Sequence, residues 1–78
     1  MDKETLLQAL RKEGIREDAF DLDGRHLSET YTLSESCGRW LVYYSERGLE
    51  AGKKEFATQS EACEYLLNLL KNDPTTRM

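Results

Sequence analysis

Seven consecutive residues, Arg39–Ser45, constrain the fold most, because they read RWLVYYS. Aromatic and β-branched side chains at this density are typical of a β-strand. Both faces of that strand are apolar, with Trp40, Val42 and Tyr44 on one and Leu41 and Tyr43 on the other. A strand with one wetted face alternates apolar and polar residues, so this pattern predicts a central strand. A chain of 78 residues has little protein to cover a second face, and we expect a partner to cover it.

Length and composition predict one small globular domain over residues 1–78, with a frayed tail over residues 73–78. Hydrophobic residues at 38% and charged residues at 33% exclude the disordered and membrane classes. The N-terminus has neither the basic start nor the apolar run of a secretory signal. We therefore expect a cytoplasmic protein.

The net charge of −4 is unevenly distributed. From Glu17 to Glu35 six acids accompany one base, giving −5, and the remaining nine acids and ten bases give +1. Local acidity argues against nucleic acid as the partner and favours a basic protein. The alternative is a solvated loop that keeps the domain soluble.

Cysteine and histidine content predicts neither a disulfide framework nor a metal site. Cys37 falls beside a predicted turn and Cys63 within a predicted helix, and we expect both to be reduced thiols. His26 is the single histidine, and no CxxC pair occurs. Asp21 and Asp23 lack an EF-hand pattern, so we expect no metal and no cofactor.

Two helices are predicted, one near each end of the chain. The first spans Asp2–Glu13, where leucines recur at helical spacing, and Gly14 is a natural residue to end it. The second begins at Thr58–Glu61, a sequence with the form of a capping box. Asn72–Pro74 ends it, because proline disfavours a helical conformation in the residue before it.

The segment Arg16–Leu27 has no clear period, and we expect an irregular connection in which Phe20 and Leu22 point inward. Glu29–Ser34 alternates and predicts a strand. Glu35–Gly38 then turns the chain into the aromatic strand.

A third strand is expected to end at Phe56, and its start has two interpretations. A tight turn at Glu46–Gly48 would start it near Leu49, whereas a broader loop would start it near Lys53. The order helix, strand, strand, strand, helix predicts an α+β domain. We expect a three-stranded antiparallel meander with both helices packed on one face, which would leave the opposite face open.

No catalytic constellation accompanies these elements. His26 has no nucleophile or acid beside it in sequence and is interpreted as a surface histidine. The serines stand in no nucleophile-elbow context, and no glycine-rich phosphate loop occurs. We expect a protein without enzymatic activity.

The residues expected to contact a partner come from the acidic segment and from the end of the aromatic strand. They are Asp21, Asp23, Glu29, Tyr43, Glu46 and Arg47. Tyrosine and arginine are enriched among residues that carry binding energy at interfaces. In the alternative interpretation Glu46 or Arg47 fixes the turn and Tyr44 belongs to the core.

The string Trp40–Gly48, followed by Phe56–Thr58, Glu61–Cys63 and Tyr65–Leu67, resembles small bacterial immunity proteins of polymorphic and contact-dependent toxin systems. The resemblance covers Tyr31–Leu70, about half of the chain. Such proteins are cognate inhibitors that bind a delivered toxin domain and protect the cell that makes it. The resemblance implies a cytoplasmic, non-enzymatic binder of a toxin that is often encoded beside it. The acidic segment would suit the basic substrate cleft of a toxin nuclease.

Two other classes remain. A double-stranded-RNA-binding module has the same order of elements, and Gly52–Lys54, with its two lysines, lies near the final helix as basic residues do in that class. Glu55, Glu61 and Glu64 surround these lysines and oppose an RNA partner. A scaffold or homodimer that uses the open sheet face needs no toxin.

Overall fold

The computed structural model describes residues 1–24, 29–47 and 49–76. Two helices accompany a mixed four-stranded sheet, which confirms the α+β class. The helices are α1 (Lys3–Lys12) and α2 (Gln59–Asn72), and the strands are β1 (Phe20–Asp21), β2 (Thr30–Ser36), β3 (Arg39–Glu46) and β4 (Leu49–Phe56). Two short 3₁₀ helices span Glu17–Ala19 and Pro74–Thr76. Within the described residues no helix is long and apolar enough to cross a membrane.

Helix α1 begins and ends as its sequence predicts. The Asp2 carboxylate accepts a hydrogen bond from the backbone N–H of Thr5 at 2.8 Å and so caps the first turn. Gly14, at φ 77°, donates to the carbonyl of Arg11, and Ile15 donates to that of Leu10. These two bonds form a Schellman motif, which turns the buried Ile15 side chain back onto the helix.

Helix α2 also begins at its predicted cap. Thr58 accepts from the backbone N–H of Glu61, and its hydroxyl lies 2.9 Å from the carboxylate of the same residue. The Glu61 side chain thus bonds the capping hydroxyl, whereas in a capping box it bonds the backbone N–H. Both arrangements satisfy donors at the start of the helix.

The hairpin of β2 and β3 turns through two residues only. Cys37 and Gly38 have φ values of 52° and 75°, as a type I′ turn requires. Ser36 pairs with Arg39, and each further pair follows, including Tyr31 with Tyr44. The turn is shorter than the predicted Glu35–Gly38 because pairing continues into its first two residues.

Of the two interpretations of the third strand, the tight turn is correct, since β4 begins at Leu49 and ends at Phe56. The β3–β4 register shifts between Val42 and Tyr44, and Gly52 on β4 has φ 62°. An extra residue at this point bends the strand, and glycine tolerates the left-handed backbone there.

Strand β1 is the element that the predicted meander lacks. Phe20 and Asp21 pair in parallel with Tyr31 and Thr32, which places β1 beside β2 and gives the order β1-β2-β3-β4. A strand of two residues has no alternation to detect, and each of its parallel partners lies eleven positions along the chain. The sheet is therefore mixed, with β3 inside it as predicted.

Both helices pack on one face of the sheet, where β2 and β3 contribute Leu33 and Val42 to the core. Trp40 packs against the same core, as does Tyr31, the partner of Tyr44. The buried core comprises Leu6, Leu10, Ile15, Ala19, Phe20, Leu33, Val42, Ala62, Cys63, Leu66 and Leu70. Cys63 is a buried free thiol whose pKa is raised by burial, and Cys37 is an exposed free thiol.

The opposite sheet face is open only in part, which differs from the expected open face. Thr32, Tyr43 and Ser45 point to this face, and their exposed fractions are 0%, 1% and 1%. Gly24, three residues after β1, lies against Ser34 on this face. A Cβ on Gly24 would lie 2.9 Å from the Ser34 hydroxyl. The part of the second face around Thr32, Tyr43 and Ser45 is therefore shielded without a partner, whereas Leu41 on the same face is half-buried.

The C-terminal residues 73–76 are docked, which differs from the expected frayed tail. Thr76 is 2% exposed, and its hydroxyl lies 2.7 Å from the carbonyl oxygen of Leu70. Its own carbonyl accepts from the backbone N–H of Arg16 at 2.7 Å. Arg77 and Met78, like His26 and Gly48, lie outside the described residues.

Ending the chain after Asn72 should lower the free energy of unfolding by about 2 kcal/mol or more, because the buried hydrogen bonds of Thr76 are lost. Urea denaturation followed by circular dichroism measures the change. A chain that ends after Thr76 is the control, since it keeps all of these contacts. Equal stability of the two truncated chains would contradict a docked tail.

Candidate functional site

The acidic segment does not form one surface. Glu17 pairs with Arg11 at 3.1 Å, Asp18 pairs with Arg16 at 3.6 Å, and Asp23 lies 3.9 Å from Lys3. All three cations lie N-terminal to the acidic segment in sequence. Folding therefore brings neutralising charge to its first half.

Two of the predicted contact residues are buried. Asp21 and Tyr43 are each 1% exposed and lie on the covered sheet face. The pKa of Tyr43 is raised by burial and by the charges of Glu50 and Asp21. Apolar alternation in β3 predicted an exposed Tyr43, but the folded chain buries it. Neither residue can touch a partner directly in this conformation.

The other four predicted residues, Asp23, Glu29, Glu46 and Arg47, are exposed. Arg47 has φ 49° and occupies the β3–β4 turn. This position agrees with the alternative interpretation, in which Glu46 or Arg47 fixes the turn. Pairing of Thr30 with Ser45 is the last of the β2–β3 ladder, so Glu29 and Glu46 are neighbours at this end of the sheet. Folding thus joins the acidic segment to the aromatic strand at one place.

A cleft of about 280 Å³ lies at that place, and we call it the tyrosine cleft. Its lining residues are Arg16, Ala19, Glu29, Tyr31, Tyr44, Asp73, Thr75 and Thr76. One wall comes from the β2–β3 ladder and another from the docked tail. The site therefore exists only because residues 73–76 are ordered.

Two tyrosines form the aromatic wall of the cleft. The rings of Tyr31 and Tyr44 meet edge to face, with centroids 4.9 Å apart and an interplanar angle of 62°. This geometry is favourable for aromatic pairs and limits the freedom of both rings. Both side chains are half-buried, so part of each remains available for contact.

The tail holds Tyr31 by a hydrogen bond. Its hydroxyl donates to the Asp73 carboxylate at 2.8 Å, and Asp73 also accepts from the hydroxyl and the backbone N–H of Thr75. Hydrogen bonds from Thr75 and Tyr31 lower the pKa of Asp73. Burial and this bond raise the pKa of Tyr31 to about 12. At neutral pH the phenol is neutral and the carboxylate is ionised.

Three carboxylates surround the second tyrosine. The pKa of Tyr44 is raised by burial and then by the charges of Glu29, Glu46 and Asp73. Glu29 has φ 56°, a conformation that is uncommon outside glycine and that clusters at functional sites. The cleft thus combines exposed aromatic edges with concentrated negative charge.

Arg16 is the cation among the lining residues, and it is already engaged. Its guanidinium donates to the backbone carbonyl of Thr75 at 2.8 Å and lies 3.6 Å from Asp18. These contacts hold the tail in place. The charged groups that an approaching partner meets are therefore the carboxylates of Glu29 and Glu46.

Sequence reasoning missed Tyr31, Tyr44, Asp73 and Arg16 as members of one site. The signal for the first two was present, because a two-residue turn at Cys37 and Gly38 fixes Tyr31 opposite Tyr44. The same count places Glu29 beside Glu46. Docking of the tail has no comparable local signal.

Within residues 1–24, 29–47 and 49–76, no group of three or more histidine, cysteine, aspartate or glutamate side chains could hold a metal ion. Neither the models of known protein families nor the curated proteins nor the solved structures include a match to this chain.

Replacing Tyr31 with phenylalanine should raise the pKa of Asp73 toward its usual value of 3.8 and cost about 1 kcal/mol of stability near neutral pH. The lowered pKa of Asp73 contributes stability above pH 3.8, which is lost as pH falls through the folded value. The raised pKa of Tyr31 contributes stability below pH 10, which is lost as pH rises toward about 12. The stability gap between the two proteins should therefore narrow at both extremes.

Carboxyl NMR titration and urea denaturation across pH measure these effects. Tyr65→Phe is the matched control, since the hydroxyl of Tyr65 has no hydrogen bond within the described part of the chain. A stability gap that does not vary with pH would count against the Tyr31–Asp73 bond.

Proposed function

We propose that this chain is a non-enzymatic binding protein, an immunity protein that binds and neutralises a bacterial toxin domain in the cytoplasm. The tyrosine cleft is the surface we assign to this binding. The observation that carries the assignment is the convergence of Tyr31 and Tyr44 with the carboxylates of Glu29, Glu46 and Asp73.

Tyrosines held in fixed positions are suited to protein recognition. Their rings offer large contact areas, and residues that carry binding energy at interfaces are enriched in tyrosine. Tyr31 is fixed by Tyr44 and by Asp73, so little side-chain entropy remains to be lost on binding.

Negative charge at the rim supports a basic partner. Glu29, Glu46 and Asp73 act on Tyr44 together, whereas Arg16 is bound to the tail. Complementary charge speeds the encounter of two proteins and excludes partners of the same sign. A lysine or arginine of the partner would also be attracted to the faces of the tyrosine rings.

The protonation states in the cleft favour binding over catalysis. Efficient general acids and bases have pKa values near the working pH. The pKa of Tyr31 is about 12, and that of Asp73 is lowered below its usual value. Both shifts move these groups away from neutrality, which supports the expectation of no enzymatic activity.

The alternative functions have less support. Self-association through an open sheet face has less support than the notional open face suggested, because Thr32, Tyr43 and Ser45 on that face are buried. For RNA binding, Lys53 is paired with Glu50 at 3.1 Å, and the acidic residue in the first turn of α2 is Glu61. An acidic helix start next to a neutralised lysine repels phosphate.

The direct test is co-expression with the protein encoded by the neighbouring reading frame. If that protein is toxic, this chain should bind it and restore growth. A toxic neighbour that is neither bound nor neutralised would refute the immunity assignment.

Replacing Glu29 and Glu46 together with glutamine should slow association with the toxin about tenfold at low salt and flatten its salt dependence, because rim charges steer encounter. Surface plasmon resonance at several salt concentrations measures both rates. The double variant Glu35→Gln and Glu64→Gln is the control, since it removes the same charge outside the cleft. Equal slowing in the two double variants would show that net charge, and not the cleft, steers association.

Replacing Tyr44 with alanine should mainly speed dissociation, by about 30-fold if the residue contributes roughly 2 kcal/mol. Leu49→Ala is the control, because Leu49 is 71% exposed and does not line the cleft. Circular dichroism at the assay temperature establishes that both variants are folded. An unchanged dissociation rate in folded Tyr44→Ala would remove the cleft from the interface.

A further inference from the structure

A second concavity adjoins the tyrosine cleft, with a volume of about 240 Å³. It lies between α2 and β4, and we call it the α2–β4 groove. Its lining residues are Tyr31, Tyr43, Tyr44, Ala51, Gly52, Tyr65 and Leu69. Because Tyr31 and Tyr44 line both concavities, the two form one continuous surface with a polar end and an apolar end.

Small residues on β4 create this groove. Ala51 pairs with Tyr44, and Gly52 beside it adds no side chain, so the surface of β4 is low at this point. On the opposite wall, Tyr65 contacts the ring of Phe56 at a centroid distance of 5.2 Å, and Leu69 packs against the core. The walls are thereby fixed, and the opening between them is preformed.

We propose that the α2–β4 groove receives one large apolar side chain from an extended segment of the basic partner. A lysine or arginine next to that side chain would lie at Glu29, which lines the tyrosine cleft, and near Glu46, which follows Ser45 at the same end of the sheet. This inference rests on the proposed function, and it specifies the local sequence that the partner presents.

Size and charge select this occupant. Sites for drug-sized molecules span roughly 300–1,000 Å³, so 240 Å³ suits a single side chain. The carboxylates of Glu29 and Asp73, which line the adjoining cleft, favour a cation beside it. An apolar centre with a charged rim is also the usual anatomy of a protein interface.

Insertion of a side chain fits this surface better than addition of a strand to β4. Lys53 and Lys54 lie on that edge strand, and the register shift near Gly52 bends it. Lysines and bulges on edge strands oppose pairing with another chain. Neither the lysines nor the bend of β4 blocks insertion of a side chain into the groove.

Amide chemical-shift mapping of the full chain tests the proposal with acetylated, amidated dipeptides. The two probes are Arg–Phe and Phe–Arg, and the dipeptide that binds more tightly is used in all later measurements. We expect it to shift the amide signals of Ala51, Gly52 and Leu69. Replacing Phe with Ala, or Arg with Glu, in the probe should weaken binding on the order of tenfold each.

Two variants assign the apolar contact. Ala51→Leu should fill the groove and weaken binding of the probe about tenfold, with signals of the tyrosine cleft still shifting. Lys54→Leu is the control, since it adds the same side chain to β4 outside the lining, and it should bind as the natural chain does. If a variant loses stability, chemical-shift mapping on the natural chain alone decides whether the probe lies in the α2–β4 groove.

The proposal is overturned if neither probe binds, if the shifts lie elsewhere, or if both variants bind the probe equally well. These outcomes are independent of the toxin. A chain that binds the probe in the groove but fails to rescue growth would refute the immunity function alone. Rescue by a chain that does not bind the probe would refute the groove alone.

Discussion

The register of the β2–β3 hairpin is the constraint on which the candidate site depends. A two-residue turn with positive φ at Cys37 and Gly38 fixes every later pair of the ladder. Tyr31 then meets Tyr44, and Glu29 comes to the same end as Glu46. Because side chains alternate between faces, a slip of one residue would carry one tyrosine to the other face and separate the pair. Aromatic contact and charge concentration at the cleft are therefore consequences of one turn.

Local signals in the sequence were sufficient for the elements that frame the cleft. Asp2 and Gly14 mark the ends of α1, Thr58 starts α2, and the density of aromatic residues identifies β3. Each signal is a helix cap or a residue pattern that spans only a few neighbouring residues, so a short stretch of sequence is enough to detect it. The class of the fold follows from their order, and so does the packing of both helices on one sheet face.

Long-range pairing accounts for what the sequence did not reveal. Strand β1 is only two residues long and depends on a parallel partner, and the tail docks through Thr76 onto Arg16. Burial of the second sheet face was not predicted for a related reason. Both helices pack on the other face, and no local pattern in the sequence indicates what would shield Thr32 and Ser45. The hydroxyls of Thr32 and Ser45 are buried there without a hydrogen-bond partner in the described part of the chain. Burial of Tyr43 on this face leaves Tyr44 as the half-buried tyrosine that β3 contributes to the candidate interface.

The central claim is that the face bearing Tyr31 and Tyr44 meets the toxin and the covered face does not. Fluorine NMR with 3-fluorotyrosine measures this directly, because the chain has four tyrosines and they lie in different surroundings. On addition of the toxin domain, the signals of Tyr31 and Tyr44, which line the tyrosine cleft, should shift. A complex that shifts Tyr43 and leaves Tyr31 and Tyr44 unchanged would contradict the account.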